Sequence, residues 1–134
     1  MSVNGDTSMA DGEHETEVME PGDEEDILLG GTPKLVVLRG ATTHAVSFQI
    51  EKEDHTLGNS LRYFINKNPD VEFCGYTIPH PSETKMNIRI QTWEDTGTTA
   101  FDALRKGLED MIEACDVVSE KFTEARDEFE KSKA

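Results

Sequence analysis

Residues 53–82, EDHTLGNSLRYFINKNPDVEFCGYTIPHPS, predict a helix, the end of that helix, a buried strand and a rigid turn in one short stretch. Asp54 and Thr56 supply the side-chain oxygens that accept from unpaired N–H groups at a helix start. Asn68-Pro69 ends the helix, because a residue that precedes proline is disfavoured in the α region. The stretch therefore predicts a helix over residues 56–67.

The predicted helix has one apolar face, since its large apolar residues lie at i, i+4, i+7 and i+8. These residues are Leu57, Leu61, Phe64 and Ile65. Gly58 lies in the first turn, where a glycine costs about 1 kcal/mol relative to alanine but permits close approach of another backbone or side chain. We interpret Gly58 as a packing or interface position.

Outward from this stretch, the chain predicts strands over residues 34–38, 45–51, 72–78 and 85–93. Apolar and polar residues alternate most clearly in the second and fourth strands, which is typical of a largely antiparallel sheet with one covered face. The connection over residues 79–84 is stiff because Pro79 and Pro81 flank His80. A presented recognition loop and a plain hairpin turn both remain open for it.

A second, longer helix begins at Thr99, where Asp102 three residues later resembles a capping box. Apolar residues then recur at alternating spacings of three and four, which is the pattern of a helix that pairs with another helix. We call these residues the apolar seam: Phe101, Leu104, Leu108, Met111, Cys115, Val118, Phe122, Ala125 and Phe129.

The length of this helix predicts that it projects beyond its own domain. About thirty helical residues span about 45 Å, whereas strands of six to eight residues span about 20–27 Å. The C-terminal part of the seam, with Val118, Phe122 and Phe129, would then be exposed in a single chain. We expect a partner helix to cover it; fraying or folding back of the end is the alternative.

The N-terminal residues differ in composition from the rest. Residues 1–30 contain ten Asp or Glu and no Lys or Arg, so they carry −10 of the net charge of −15 and leave −5 for residues 31–134. We expect a disordered acidic tail over residues 1–32 and one folded domain over residues 33–134, because the tail has too few large apolar residues to offset the entropy of ordering. An acidic decoy that disfavours stray nucleic acid is the alternative function of the tail.

Composition also excludes several function classes. Clustered Lys and Arg for phosphate contacts are missing, so direct nucleic-acid binding is not expected. The sequence shows neither a targeting peptide nor an apolar run of about 20 residues for a membrane span. Cys74 and Cys115 lie in apolar patterns without disulfide or zinc spacing, and we expect both to be buried.

The sequence contains no recognisable catalytic, cofactor-binding or metal-binding motif. Asp54 and His55 could form a base with its orienting acid, but a helix entry explains them better. His44, His55 and His80 would have to converge in one pocket for a small enzyme such as a pterin dehydratase. We expect no catalytic residue, no cofactor and no metal.

EDHTLGN (residues 53–59) followed by PDVEFCGY (residues 69–76) resembles the small α-like subunit of eukaryotic nuclear RNA polymerases. The first motif is shared by the polymerase II version, whereas NPDVEFCGYTIPHPSE (residues 68–83) resembles the version of polymerases I and III. The resemblance covers about residues 33–130. It implies an α+β fold, a two-layer β-β-α-β-β-α sandwich with a long C-terminal helix.

The resemblance further implies a non-catalytic assembly subunit of polymerases I and III in the nucleus, including the nucleolus. It would form a heterodimer with the larger α-like subunit and then contact the second-largest subunit and a small zinc-binding subunit. The polymerase II counterpart and a homodimeric transcription cofactor are the alternatives. The implied dimer interface comprises Thr56, Leu57, Gly58, Asn59, Leu61, Arg62, Phe64, Ile65, Leu108, Met111, Cys115, Val118, Phe122 and Phe129. Contacts to other subunits are expected from Asp54, His55, Pro79, His80 and Pro81.

Overall fold

A computed structural model describes residues 28–29 and 32–134. The domain consists of a four-stranded antiparallel sheet, in the order β3-β4-β6-β5, and two helices on one face. This arrangement confirms the predicted two-layer sandwich. In chain order the elements are β1 Leu28–Leu29, β2 Thr32–Pro33, β3 Leu35–Val37, β4 Ala45–Glu51, α1 His55–Asn66, β5 Val71–Thr77, β6 Lys85–Thr92, a 3₁₀ turn Glu94–Thr96 and α2 Ala100–Ser132.

The predicted disordered tail lies mostly outside the described residues and stays a prediction. Its described part contains a two-residue antiparallel ladder in which Leu28 lies opposite Pro33 and Leu29 lies opposite Thr32. This ladder crosses the predicted boundary between residues 32 and 33. No helix among residues 32–134 has the length and apolar character that a membrane span requires.

The core lies between the sheet and the helices, and the two central strands supply half of its buried apolar residues. Their alternation places every second side chain on the helix side. Phe48 of β4 lies opposite Ile88 of β6, and both are fully buried. The buried apolar residues of these strands are Val46, Phe48, Ile50, Met86, Ile88 and Ile90.

Helix α1, His55–Asn66, lies one residue earlier at each end than the predicted 56–67. Its N-cap is Asp54, one of the two predicted capping residues, whose carboxylate accepts the Thr56 N–H at 3.0 Å. Gly58 in the first turn lies against the ring of Tyr76 on β5: a Cβ at this position would lie 2.6 Å from Tyr76 Cδ2. The close approach expected of Gly58 therefore occurs, and it occurs within the chain. After the helix, the Asn68 side chain accepts the Asp70 N–H at 3.0 Å and turns the chain into β5.

Helix α2 begins at the predicted capping box: Thr99 Oγ1 accepts the Asp102 N–H, and the Asp102 carboxylate accepts the Thr99 N–H, each at 3.1 Å. The backbone N–H of Ala100 also donates to the carbonyl of Thr43 at 2.9 Å, which ties the helix start to the sheet. These bonds fix the direction in which the long helix leaves the domain.

The first half of α2, residues 100–114, packs through small residues rather than through the apolar seam alone. Its buried residues are Ala100, Ala103, Leu104 and Gly107. A Cβ on Gly107 would clash with Ile65 Cγ1 of α1. This glycine therefore allows the two helices to approach closely.

The two cysteines, which the sequence predicts to be buried, differ in their exposure. Cys74 is buried at 6% exposure, as expected, whereas Cys115 is exposed. The prediction for Cys115 is wrong, because the chain's own core does not extend to this turn of the helix. From Cys115 onward every residue is exposed.

Candidate subunit interface

A stripe of exposed apolar side chains runs along α2, and it follows the predicted seam. Phe101, Leu108, Cys115, Phe122 and Phe129 are separated by seven residues each and are all exposed. Of the intervening seam residues, Leu104 is buried, Met111 is half-buried, and Val118 and Ala125 are exposed. The seam therefore faces the core only near the start of the helix.

We call residues 115–134 the overhang. Phe122 is 66% exposed and Phe129 is 58% exposed, which is unusual for side chains that each gain about 1.5–3 kcal/mol from burial. The predicted exposure of Val118, Phe122 and Phe129 is confirmed. Large contiguous apolar surface of this kind marks an interaction site.

The stripe continues onto an uncovered corner of the sheet. Leu35 and Val37 lie on the helix side of edge strand β3, opposite Ile50 and Phe48, yet they are 45% and 43% exposed. The helices pack mainly against β4, β5 and β6, so the side chains of Leu35 and Val37 on β3 stay partly exposed. The ring of Phe48 meets that of Phe101 edge-to-face at 5.4 Å and joins this corner to the start of the stripe.

The residues predicted on α1 divide into two groups. Gly58, Leu61 and Ile65 are buried in the chain's own core, the last two with no exposed surface. Their apolar character serves packing against the sheet and α2, so we leave these three out of the interface. Thr56, Asn59 and Arg62 are exposed, while Leu57 and Phe64 are half-buried.

The residues predicted to contact other subunits are exposed and lie at two places. Asp54 and His55 lie at the start of α1, where His55 Nδ1 lies 2.8 Å from Tyr76 Oη. Pro79, His80 and Pro81 lie in the loop between β5 and β6, where His80 Nδ1 accepts the Ser82 N–H at 3.2 Å. Both places are available to a partner.

The arrangement expected of a small enzyme has little support in the hydrogen bonds. Asp54 bonds to Thr56 and His55 to Tyr76, rather than to each other. His44 Nδ1 lies 3.0 Å from Thr92 Oγ1 and 3.1 Å from the Thr98 carbonyl, so each of the three histidines has separate partners. Within residues 32–134 there is no group of three or more His, Cys, Asp or Glu side chains that could hold a metal ion.

The two cysteines differ in burial, because Cys74 lies in the core and Cys115 is exposed on α2. Burial raises the pKa of the Cys74 thiol to about 12, and the nearby Arg62 guanidinium opposes that shift only in part. Cys74 is therefore neutral at physiological pH and behaves as a small apolar core residue.

Sequence reasoning missed part of the apolar surface. The sequence pattern places Leu35 and Val37 in a strand, but the pattern of one strand does not show how much of that strand the helices cover. Ile112 and Val117 are 63% and 48% exposed, but neither residue belongs to the apolar seam. The signal for Ile112 was its place one residue after the seam position Met111.

Comparisons with known proteins identify the family of this fold. The model of the RNA polymerase Rpb3/Rpb11 dimerisation domain matches residues 45–121. The chain is 66% identical to the DNA-directed RNA polymerases I and III subunit RPAC2 of Schizosaccharomyces pombe, over 69% of this chain and 74% of that protein. It is 57% identical to the Saccharomyces cerevisiae protein of the same name, over 84% and 80%, and 49% identical to the Danio rerio protein, over 72% and 84%.

Among solved structures, DNA-directed RNA polymerase subunit L from Thermoplasma acidophilum is similar to this chain. The TM-score is 0.61 at 18% sequence identity, and the match covers 72% of this chain and 92% of that one. At this identity the likeness shows the fold alone.

Proposed function

The chain belongs to the family of the RNA polymerase Rpb3/Rpb11 dimerisation domain, and from that membership we propose that it is a non-catalytic assembly subunit of DNA-directed RNA polymerases I and III. In this role it pairs with the larger α-like subunit of the same polymerases, and the pair nucleates assembly of the core. The names of its relatives and the resemblance over residues 68–83 support polymerases I and III over polymerase II.

One observation carries the proposal: a helix of 33 residues that exposes an apolar side chain at every seventh residue from Phe101 to Phe129. A single chain cannot cover the overhang with its own sheet. Covering it with a helix of another subunit recovers the free energy of burial that a monomer loses. The stripe thus supports a dimerisation surface rather than a ligand pocket.

The proposed interface contains the exposed or half-buried residues of both helices and the uncovered corner of the sheet. On α2 the seam contributes Leu108, Met111, Cys115, Val118, Phe122 and Phe129. On α1 the rim is formed by Thr56, Leu57, Asn59, Arg62 and Phe64. Leu35 and Val37 extend it onto β3.

Further contacts follow from the family resemblance. The second-largest polymerase subunit and a small zinc-binding subunit would use the start of α1, with Asp54 and His55, and the loop with Pro79, His80 and Pro81. The place of action is the nucleus, including the nucleolus, where polymerase I transcribes ribosomal RNA genes. The chain itself contributes no catalytic group.

Purification of the tagged chain from its own cells tests the assignment to a polymerase. We expect the two largest subunits of polymerases I and III to co-purify in stoichiometric amounts. Co-purification of the polymerase II large subunits alone would overturn it in favour of the polymerase II counterpart.

Substitution of one stripe residue tests the surface. Phe122→Asp places a charge in the middle of the overhang, and we expect co-expression with the larger α-like subunit to yield no stable pair. Glu120→Gln, two residues away and also exposed, is the matched control and should pair normally. A heterodimer unaffected by Phe122→Asp would sink the proposed surface.

A further inference from the structure

Charged residues in the overhang are not distributed evenly around the helix. Residues 115–134 contain four cations and six anions. In a helix pair with a seven-residue repeat, the positions directly beside the seam face the partner and set its choice. Those positions in the overhang are Ser119, Lys121, Arg126, Glu128 and Lys133, with the last directly after the final helical residue.

Three of the four cations therefore flank the seam, while five of the six anions point away from it. The anions away from the seam are Asp116, Glu120, Glu124, Asp127 and Glu130. A chain with a net charge of −15 thus presents a basic border along the exposed apolar stripe of α2. Lys133 Nζ lies 4.6 Å from the centre of the Phe129 ring, which places this cation beside the stripe.

The flanking cations remain available to another molecule, because their contacts within the chain are weak. Lys121 Nζ lies 3.7 Å from Glu124, and Arg126 Nη2 lies 3.3 Å from Asp127; all four side chains are at least half exposed. Exposed pairs of this kind contribute little to stability. A carboxylate on a partner helix could therefore replace Glu124 or Asp127 as the contact of these cations, at little cost in free energy.

A second copy of this chain does not match this border. In a parallel pair, Lys121 of one copy would face Arg126 of the other, which offsets the attraction between Glu128 and Lys133. In an antiparallel pair, the row with Arg126 and Lys133 would face its own equivalent and repel it, whereas the row with Lys121 and Glu128 would face its own equivalent and attract it. A second copy therefore gains no net attraction from these charges, whereas a helix whose seam is flanked by Asp and Glu gains attraction at each of the three cations.

We propose that Lys121, Arg126 and Lys133 select a partner helix whose own apolar seam is flanked by Asp and Glu. The inference rests on the proposed function, because it names the chemistry of the partner at the same surface. Burial of the stripe supplies most of the affinity, and the basic border supplies the choice between an acidic-flanked helix and a second copy.

The test compares two charge reversals on the same helix. Lys121→Glu with Arg126→Glu reverses one position on each flank, whereas Lys106→Glu with Lys131→Glu changes the net charge equally at exposed positions away from the seam. The dissociation constant of each full-length variant for the larger α-like subunit is measured at 50 and 500 mM salt. We expect the flank variant to bind about tenfold more weakly at low salt, and the difference to shrink at high salt. The control should stay within about threefold of the original chain.

Equal or tighter binding by the flank variant, while Phe122→Asp fails to pair, would overturn the charge selection and leave the proposed surface intact. Normal pairing by Phe122→Asp would instead remove the surface itself. Sedimentation of the original chain alone gives the third readout. A tight self-dimer that survives low salt would show a second copy as the occupant and would also overturn the inference.

Discussion

The two halves of α2 use the same helix for different purposes. Residues 100–114 pack against the sheet and α1 through Ala100, Ala103 and Gly107, with Leu104 as their large buried side chain. The overhang contains larger apolar residues, yet all of them are exposed. Apart from Leu104, small residues thus mark the surface that the chain covers itself, and large ones mark the surface that we propose for another subunit.

The largest expected effect is the difference in unfolding free energy between two variants that place an aspartate in the packed half of α2 or in the overhang. Leu104→Asp buries an uncompensated carboxylate, and we expect a loss of more than about 3 kcal/mol in the free energy of unfolding. Phe122→Asp should change that free energy by less than about 0.5 kcal/mol, because the site is exposed. Urea unfolding followed by circular dichroism measures both. Similar losses for the two variants would break the distinction between the halves.

A smaller effect is expected at the closest approach of the two helices. Gly107→Ala introduces a Cβ against Ile65, which is fully buried and cannot move freely. We expect a net destabilisation of about 1–2 kcal/mol despite the better helix propensity of alanine. In an Ile65→Ala background the cost should disappear, as a double-mutant cycle by chemical denaturation would show. A stabilised Gly107→Ala variant would contradict the close contact.

The smallest expected effect needs no substitution and is the difference in thiol reactivity between the two cysteines. At pH 8 we expect iodoacetamide to modify Cys115 first, while Cys74 stays protonated and covered because burial raises its thiol pKa to about 12. Since this pKa is raised in the folded chain, the stabilising contribution of the neutral thiol is complete below the ordinary value near 9 and is lost as pH rises toward 12. Mass spectrometry of a time course identifies the modified residue. Preferential modification of Cys74 would contradict the burial assigned to it.

Much of the sheet and both helix starts could be predicted from the sequence. The alternation in β4 gave its bounds without error, and the capping residues Asp54 and Thr99 mark both helix starts, because these signals are local. The packing of residues 100–114 of α2 is harder to predict. Alanine and glycine give no apolar periodicity, although Ala100, Ala103 and Gly107 lie buried against the rest of the domain. The seam was visible instead, and it led to the wrong expectation for Cys115.

The interface residues on α1 show the limit of a single sequence. Leu61 and Ile65 belong to the same apolar face as Leu57 and Phe64, and spacing alone cannot tell which part of the face packs internally. The uncovered corner with Leu35 and Val37 depends on how far the helix layer extends across the sheet. How far the helices extend across the sheet depends on tertiary packing, which the residues of β3 alone do not reveal.

The overhang also determines the fate of copies that find no partner. Every residue of its helical turns beyond Ala114 is exposed, and none of them belongs to the core of the described residues, so these turns open at low free-energy cost. Proteases cleave such open segments first, and exposed Phe122 and Phe129 favour aggregation and chaperone binding. Pairing removes both hazards at once. If the proposed pairing covers the helix, the cellular amount of this chain should follow the supply of its partner subunit, and excess copies should be short-lived.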